Sequence, residues 1–304
     1  MIVFYANVAI LALLAGVCAM ALNVLVGETG IFSAAQGVFY GVGAYTGALV
    51  SIHLTRSLVF GLVCGIVAGA VAALVFAVPA VRVRGDYFIV ASFGFSVIVT
   101  TVFAQWTPVT GGSAGLIGIP TPTVGPATVG DSGGFLLCAI AVLAIATAVL
   151  HYVVRRSPLG RMMRAVRDDE MAAAALGKSP ALVRLVAVVL AGALSGFAGV
   201  VYASYVAFVD PTGFDINQSI VFLTMVILGG AGTFWGPLAG ALVVTFGTAS
   251  LGLLHIPGGL VGPLQQICLG VVLILLMVFW PGGLAAMVPR RGTGASDRKR
   301  EEAG

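Results

Sequence analysis

Few residues in this chain are of types that catalyse or ligate, and their spacing assembles no catalytic set. His53, His151 and His255 lie far apart in sequence. None has a Cys or carboxylate at the short spacing by which a helix turn or tight loop brings metal ligands together. Gly177, Lys178 and Ser179 read like the end of a phosphate-binding loop. That loop also needs a glycine five residues earlier, where backbone approaches the phosphates, and the position holds Ala172; a strand should lead into it, yet a helix-forming run does. Cys18, Cys64, Cys138 and Cys268 each fall in an apolar stretch without CxxC spacing, which predicts buried free thiols rather than a disulfide framework. No catalytic residue, metal or cofactor is expected, and the chain is not expected to be an enzyme.

Transport chemistry makes a different demand. A pump or gradient-driven carrier places ionisable groups inside its spans to bind protons or sodium. Here Glu28 and Asp86 come near span boundaries, and each reads as capping or orienting an end. The interior polar residues are neutral: Asn23, Gln36, Gln105, Gln218 and Gln265. A path lined this way passes a neutral or zwitterionic solute and couples to no ion gradient, so a driving force must enter from elsewhere. The rival of a different class is a self-sufficient channel or carrier; the uncharged spans speak against the carrier and leave the passive channel open.

The elements that must position these residues are membrane helices. Hydrophobic residues make up 60% of the 304, charged residues 9%, and mean hydropathy is +1.11, whereas soluble domains carry roughly 25% charge. Most of the charges fall in two stretches, 155–184 and 289–304. The net charge of +4 and pI near 9.0 do not point to nucleic acid, because the basic residues sit beside apolar spans rather than in a stripe among exposed aromatics. Runs long enough to cross about 30 Å of hydrocarbon are Tyr5 to Val26, Ile31 to Leu54, Leu58 to Pro79, Tyr87 to Gln105, Phe135 to Val154, Ala181 to Phe208, Ile216 to Leu228, Pro237 to Leu254 and Val261 to Trp280. The fold class is therefore all-α, a polytopic transmembrane bundle of eight or nine spans. The glycine-crowded second run and the short seventh are candidates for broken or re-entrant segments. Small residues four apart, as at Gly43/Gly47, Gly61/Gly65/Gly69 and Gly192/Gly196, predict close helix packing.

Basic residues mark the cytosolic side of such a bundle. Arg82 and Arg84, the 155–184 loop and the tail from Arg290 are separated by even numbers of spans, so all three fall on one side. This puts the N-terminus outside and the C-terminus in the cytosol. The first run has no Lys or Arg before it and is expected to remain in the mature protein. Residues 1–288 form the transmembrane domain, and 289–304 a basic cytosolic tail that is expected to be disordered. The segment 106–134 is external, too rich in Gly, Pro and Thr for a long helix, and longer than loops without a function usually run.

Within the cytosolic loop, Ser157 and Pro158 are a cap and first-turn pair, RMMRAVRDDEMAAAAL from Arg161 to Leu176 contains no breaker, and Gly177 is a stop. One short helix is predicted, with an apolar stripe of Met162, Val166, Ala173 and Leu176. Isolated helices of this length are marginal in water, so it docks on a partner or lies on the membrane with its arginines on phosphates. The residues alone favour neither.

Four stretches together resemble one family: GETGIFSAAQGVFYGVGAYTGAL from Gly27, RGDYFIVASFGFSVIVTTVFAQWTPVTGGSAGLIGIP from Arg84, GRMMRAVRDDEMAAAALGKSP from Gly160 and MVILGGAGTFWGPLAGALV from Met225. They are similar to permease subunits of bacterial ABC importers for branched-chain amino acids, in the LivM-like branch. The resemblance covers roughly Leu22 to Gly283. It implies an inner-membrane subunit working by alternating access with two cytosolic ATP-binding subunits, a second homologous permease and a periplasmic solute-binding protein. Its coupling helix would meet the ATP-binding subunit through Arg164, Asp169, Glu170, Ala172, Ala173 and Gly177. The general importer pattern places Glu at Met171, so Asp169 and Glu170 both stand as the acidic contact. Thr110, Gly111, Gly112 and Gly115 would help receive the binding protein, and Ser33, Gln36, Tyr45, Gly229, Gly230 and Gly232 would lie at the pathway. Branched-chain amino acids suit a neutral, aromatic-lined path; urea, short amides and sugars are the alternatives.

Overall fold

A computed structural model describes residues 2–80, 87–124, 127–128 and 132–251, with three further positions at 267, 270 and 271. The tail 289–304, the sites of Arg82, Arg84, Asp86, His255 and Gln265, and nearly all of the expected span Val261 to Trp280 lie outside the described residues. The other eight expected spans each contain a helix: α1 (Ile2–Asn23), α2 (Gln36–His53), α3 (Leu58–Ala80), α4 (Tyr87–Gln105), then, after the short α5 (Thr107–Thr110), α6 (Ser132–Leu150). Beyond the charged loop, with its helices α7 (Pro158–Asp168) and α8 (Glu170–Ala175), come α9 (Pro180–Val206), α10 (Ile216–Gly229) and α11 (Gly236–Leu251).

Six of the described helices, some extended by an adjoining turn, are long and apolar enough to cross a membrane, and α2 is not among them. Its position explains why: α2 is enclosed by α3, α9 and α10, and most of its residues are buried. A helix shielded from lipid by protein need not be apolar. α1 and α9 are also central, 78% and 67% buried over their most apolar windows, while α4 is 22% buried and presents an apolar outer face.

The packed centre is built on small residues. A Cβ added to Gly43 of α2 would sit 2.2 Å from the Gly196 carbonyl oxygen of α9, and one added to Gly69 of α3 would sit 2.4 Å from that of Gly192. Backbones meet here without intervening side chains, as van der Waals packing in lipid requires, since no hydrophobic force draws apolar helices together there. Aromatic rings fill the wider gaps: Tyr40 stacks at 5.3 to 5.7 Å from Tyr202, Phe214 and Phe222.

The two candidates for broken or re-entrant segments resolve differently. The second span begins at Gln36, not Ile31; Thr29 to Ala35 is irregular chain whose Thr29, Ile31, Ser33 and Ala35 are buried. Ser92 Oγ of α4 accepts from the Ala34 N–H at 2.9 Å, and Ser96 Oγ donates to the Ala34 carbonyl at 2.8 Å, so protein satisfies this non-helical backbone. α10 is a continuous 14-residue helix, roughly 21 Å long, preceded by a 3-10 turn at Pro211–Phe214.

At the opposite end the 106–134 segment is compactly folded where described. β1 (Leu116–Ile117) pairs antiparallel with β4 (Phe208–Val209), and β2 (Thr123–Val124) with β3 (Ala127–Thr128). The Thr123 N–H donates to the Arg56 carbonyl at 2.7 Å, tying this loop to the α2–α3 connection.

Candidate functional site

The charged loop forms two helices rather than one. Ser157 Oγ accepts from the Leu159 N–H at 3.2 Å, and Pro158 opens α7 as its cap and first residue anticipate. The expected unbroken run from Arg161 to Leu176 is corrected at Asp169, where the backbone turns extended (φ −154°, ψ 108°) and the carboxylate accepts from the Met171 and Ala172 N–H groups, both at 2.9 Å. Asp satisfies two otherwise orphaned donors at a helix start, and this favours a new helix over continuing the old. Gly177, at φ +75°, then closes α8.

The break resets the helical phase, so the buried stripe also differs. Met163, Val166 and Ala173 are buried, whereas Met162 is only partly so and Leu176 is 80% exposed. Met171 is 82% exposed, and Ala172 is exposed beside it. α8 thus presents a small apolar knob, Met171, Ala172 and Leu176, away from the bundle.

The inner side of the pair is fastened to the spans. Arg164 Nη1 donates to Glu28 Oε2 at 3.0 Å and to the Val154 carbonyl at 3.3 Å. Glu28 is 7% exposed and ends a π-helical turn, Val24–Glu28, that extends α1. Arg167 Nη1 donates to the Gly27 carbonyl one residue earlier. One turn back, Asn23 Nδ2 donates to the Thr233 carbonyl and its Oδ1 accepts from the Gly232 N–H, both at 2.9 Å, holding the α10–α11 turn. On the other flank Arg184 Nη2, at the start of α9, donates to Glu170 Oε2 at 2.6 Å. A continuous set of hydrogen bonds therefore links α7 to α1 and, through Asn23, to the α10–α11 hairpin, while Glu170 joins α8 to α9.

Of the two readings, capping or orienting an end, the geometry fits the second: Glu28 ends the extended α1 and holds it to Arg164; Arg167 and Asn23 were not singled out for this set of bonds. One signal was available. An isolated acid in a long apolar stretch is too costly to bury without a cation, and the nearest rich source of arginines is the 155–184 loop. Which arginine answers Glu28 depends on the fold.

Residues expected at the pathway fall in two places. Gly229, Gly230 and Gly232 form the α10–α11 turn beside Asn23 and Gly27; a Cβ on Gly229 would lie 1.9 Å from the Gly236 carbonyl oxygen. Ser33, Gln36 and Tyr45 are buried in and before α2. Gln36 Nε2 donates to Ser195 Oγ at 2.5 Å and to the Cys18 carbonyl at 3.3 Å, while its Oε1 has no partner among the described residues. Tyr45 stacks on Phe103 with centroids 4.5 Å apart. At the other end, Thr110 is buried and its Oγ1 donates to the Phe103 carbonyl at 2.6 Å. Gly111, Gly112 and Gly115 adopt positive φ near it, and Trp106 and Ile117 stand exposed at 53% and 76%.

The sequence profile of a family described as branched-chain amino acid transport system / permease component matches residues 4–277. The chain is 29% identical, over 92% of its length, to the high-affinity branched-chain amino acid transport system permease protein LivM of Escherichia coli (strain K12), covering 70% of that protein. It is 26% identical over 71% of its length to a probable branched-chain amino acid transport permease protein LivM of Methanocaldococcus jannaschii, covering 64% of it. A shorter match, 28% over 38% of the chain, joins it to the ribose import permease protein RbsC of Haemophilus influenzae, covering 37% of it. No solved structure matches the chain significantly.

Proposed function

The chain belongs to the family of permease components of branched-chain amino acid transport systems, and on that premise we propose that it is the membrane-spanning permease subunit of an ATP-driven, binding-protein-dependent importer of branched-chain amino acids. Its place is the bacterial inner membrane, with the N-terminus outside and α7, α8 and the tail in the cytosol. Residues 1–288 are the permease domain, 155–184 its coupling loop and 106–134 its external loop. The working assembly contains two ATP-binding subunits, a second related permease and an external solute-binding protein.

The observation that carries this reading is the fastening of α7 to α1 through Glu28–Arg164 and Arg167–Gly27. A helix pair held by charge-assisted bonds transmits displacement to the spans instead of sliding over them. The exposed Met171, Ala172 and Leu176 are available to a groove on the ATP-binding subunit, with Gly177 ending the helix behind them. Asp169 is engaged in capping and Glu170 in the ion pair with Arg184, so both acids shape α8 in this state. Hydrolysis in the partners would shift α8, and with it α1, α9 and the α10–α11 hairpin, between inward and outward arrangements. Ser33, Gln36, Tyr45 and the glycines of the α10–α11 turn line or border the path, and Thr110 with Gly111, Gly112 and Gly115 shapes the surface that receives the binding protein.

The test is leucine uptake into proteoliposomes holding the complete set of subunits. Uptake should require ATP and the binding protein, and Arg164→Ala should depress it at least tenfold while the subunits still co-purify. Solute uptake by vesicles holding this chain alone, indifferent to ATP, would instead establish a channel or carrier. The partial match to a ribose permease supports a second solute reading; competition by ribose but not leucine would select it.

A further inference from the structure

Where α6 runs into the start of the charged loop, on the side away from α8, it and the α10–α11 turn line an open groove of ≈ 590 Å³. One end is apolar, with Ile140, Leu143 and Ala148; the other carries His151, Tyr152, Arg156 and Trp235. We propose that this groove binds one anionic phospholipid, an acyl chain lying along α6 and its phosphate held between Arg155 and Arg156.

Three observations converge on a lipid. The first is length: Ile140 to His151 rises roughly 16 Å along a helix, about the depth of one leaflet of a 30 Å hydrocarbon core. The second is polarity along that length. Tyr152 and Trp235, 65% and 61% exposed, stand where the apolar wall ends, as aromatic residues do at the headgroup level. The third is charge. A π-helical turn, His151–Arg156, follows α6; its Arg156 lines the polar end of the groove, and Arg155 precedes it. Arg155 lies over the Phe234 ring, 5.9 Å from its centroid. Among the described residues neither arginine meets a carboxylate, unlike Arg164, Arg167 and Arg184. A protein helix in the groove would have to bring its own acids to this end; a phospholipid brings the phosphate and the apolar chain in one molecule.

The consequence reaches the coupling machinery. Phe234 and Trp235 belong to the turn whose Gly232 and Thr233 are bound by Asn23, so an occupied groove braces that turn from the lipid side.

The complete importer in nanodiscs mixing phosphatidylglycerol with phosphatidylcholine, stripped stepwise with detergent and read by native mass spectrometry, tests this. The wild type should retain one phosphatidylglycerol per copy of this chain. Arg155→Gln with Arg156→Gln should cut the preference for phosphatidylglycerol about thirtyfold, from ~1 kcal/mol per basic residue at an anionic surface. The paired Lys replacements should keep it, and Ala144→Trp, which fills the exposed groove wall, should abolish retention with an unchanged melting curve. Unaltered retention in both the Gln and Trp variants would overturn the proposal. So would loss of the second permease from the complex with lipid retention intact, which would make the groove a subunit contact.

Discussion

The ion pair between Glu28 and Arg164 joins a buried carboxylate to a guanidinium that is 36% exposed. Its removal from one side is expected to cost more than its removal from both. Arg164→Ala leaves Glu28 buried and uncompensated, a loss of about 1–2 kcal/mol once the buried-pair cost is reduced for the solvent that screens Arg164, whereas Glu28→Gln with Arg164→Gln removes both charges and should cost less. Thermal denaturation of the two purified variants measures the difference, and equal losses would mean that the pair contributes little beyond packing. Glu28 was visible in the sequence as a lone acid; its partner lies 136 residues away, too far for any local pattern to identify.

Elements add constraints that no single side chain carries. α2 and α9 approach at Gly43 and Gly196, so Gly43→Val should prevent assembly of the folded chain. Gly94 of α4, where an added Cβ meets nothing within 4 Å, should accept alanine with a gain of up to about 1 kcal/mol from helix propensity. Expression and melting temperature of the pair distinguish a packed seam from a chance glycine. The α7–α8 break rests on Asp169: Asp169→Ala should destabilise α8 by about 1 kcal/mol and lower binding-protein-stimulated ATP hydrolysis, with Asp169→Asn, a good cap, restoring most of it. Retained stimulation in Asp169→Ala would show that the break is not needed for coupling. The sequence carried the caps at Ser157 and Gly177 because a single residue type announces each. It concealed the break because Asp inside an alanine-rich run reads equally as a solvated helix residue.

For the whole molecule the decisive quantity is sidedness. With the native cysteines replaced, a membrane-impermeant maleimide should label Leu176→Cys only from the cytosolic face and Ile117→Cys only from the outer face of oriented vesicles; the reverse pattern would invert the proposed topology. The sequence by itself determined that the chain crosses a membrane repeatedly, and that its charges concentrate in the 155–184 and 289–304 stretches, since hydropathy, span length and charge asymmetry are sums over local composition. It did not determine that α2, the least lipid-like of the long helices, is central because others cover it, that Glu28 answers Arg164, or that an apolar groove on α6 ends at Arg156 and Trp235. Those features arise between segments far apart in the chain, where burial is conferred by neighbours and a polar group's cost depends on what the fold places opposite it.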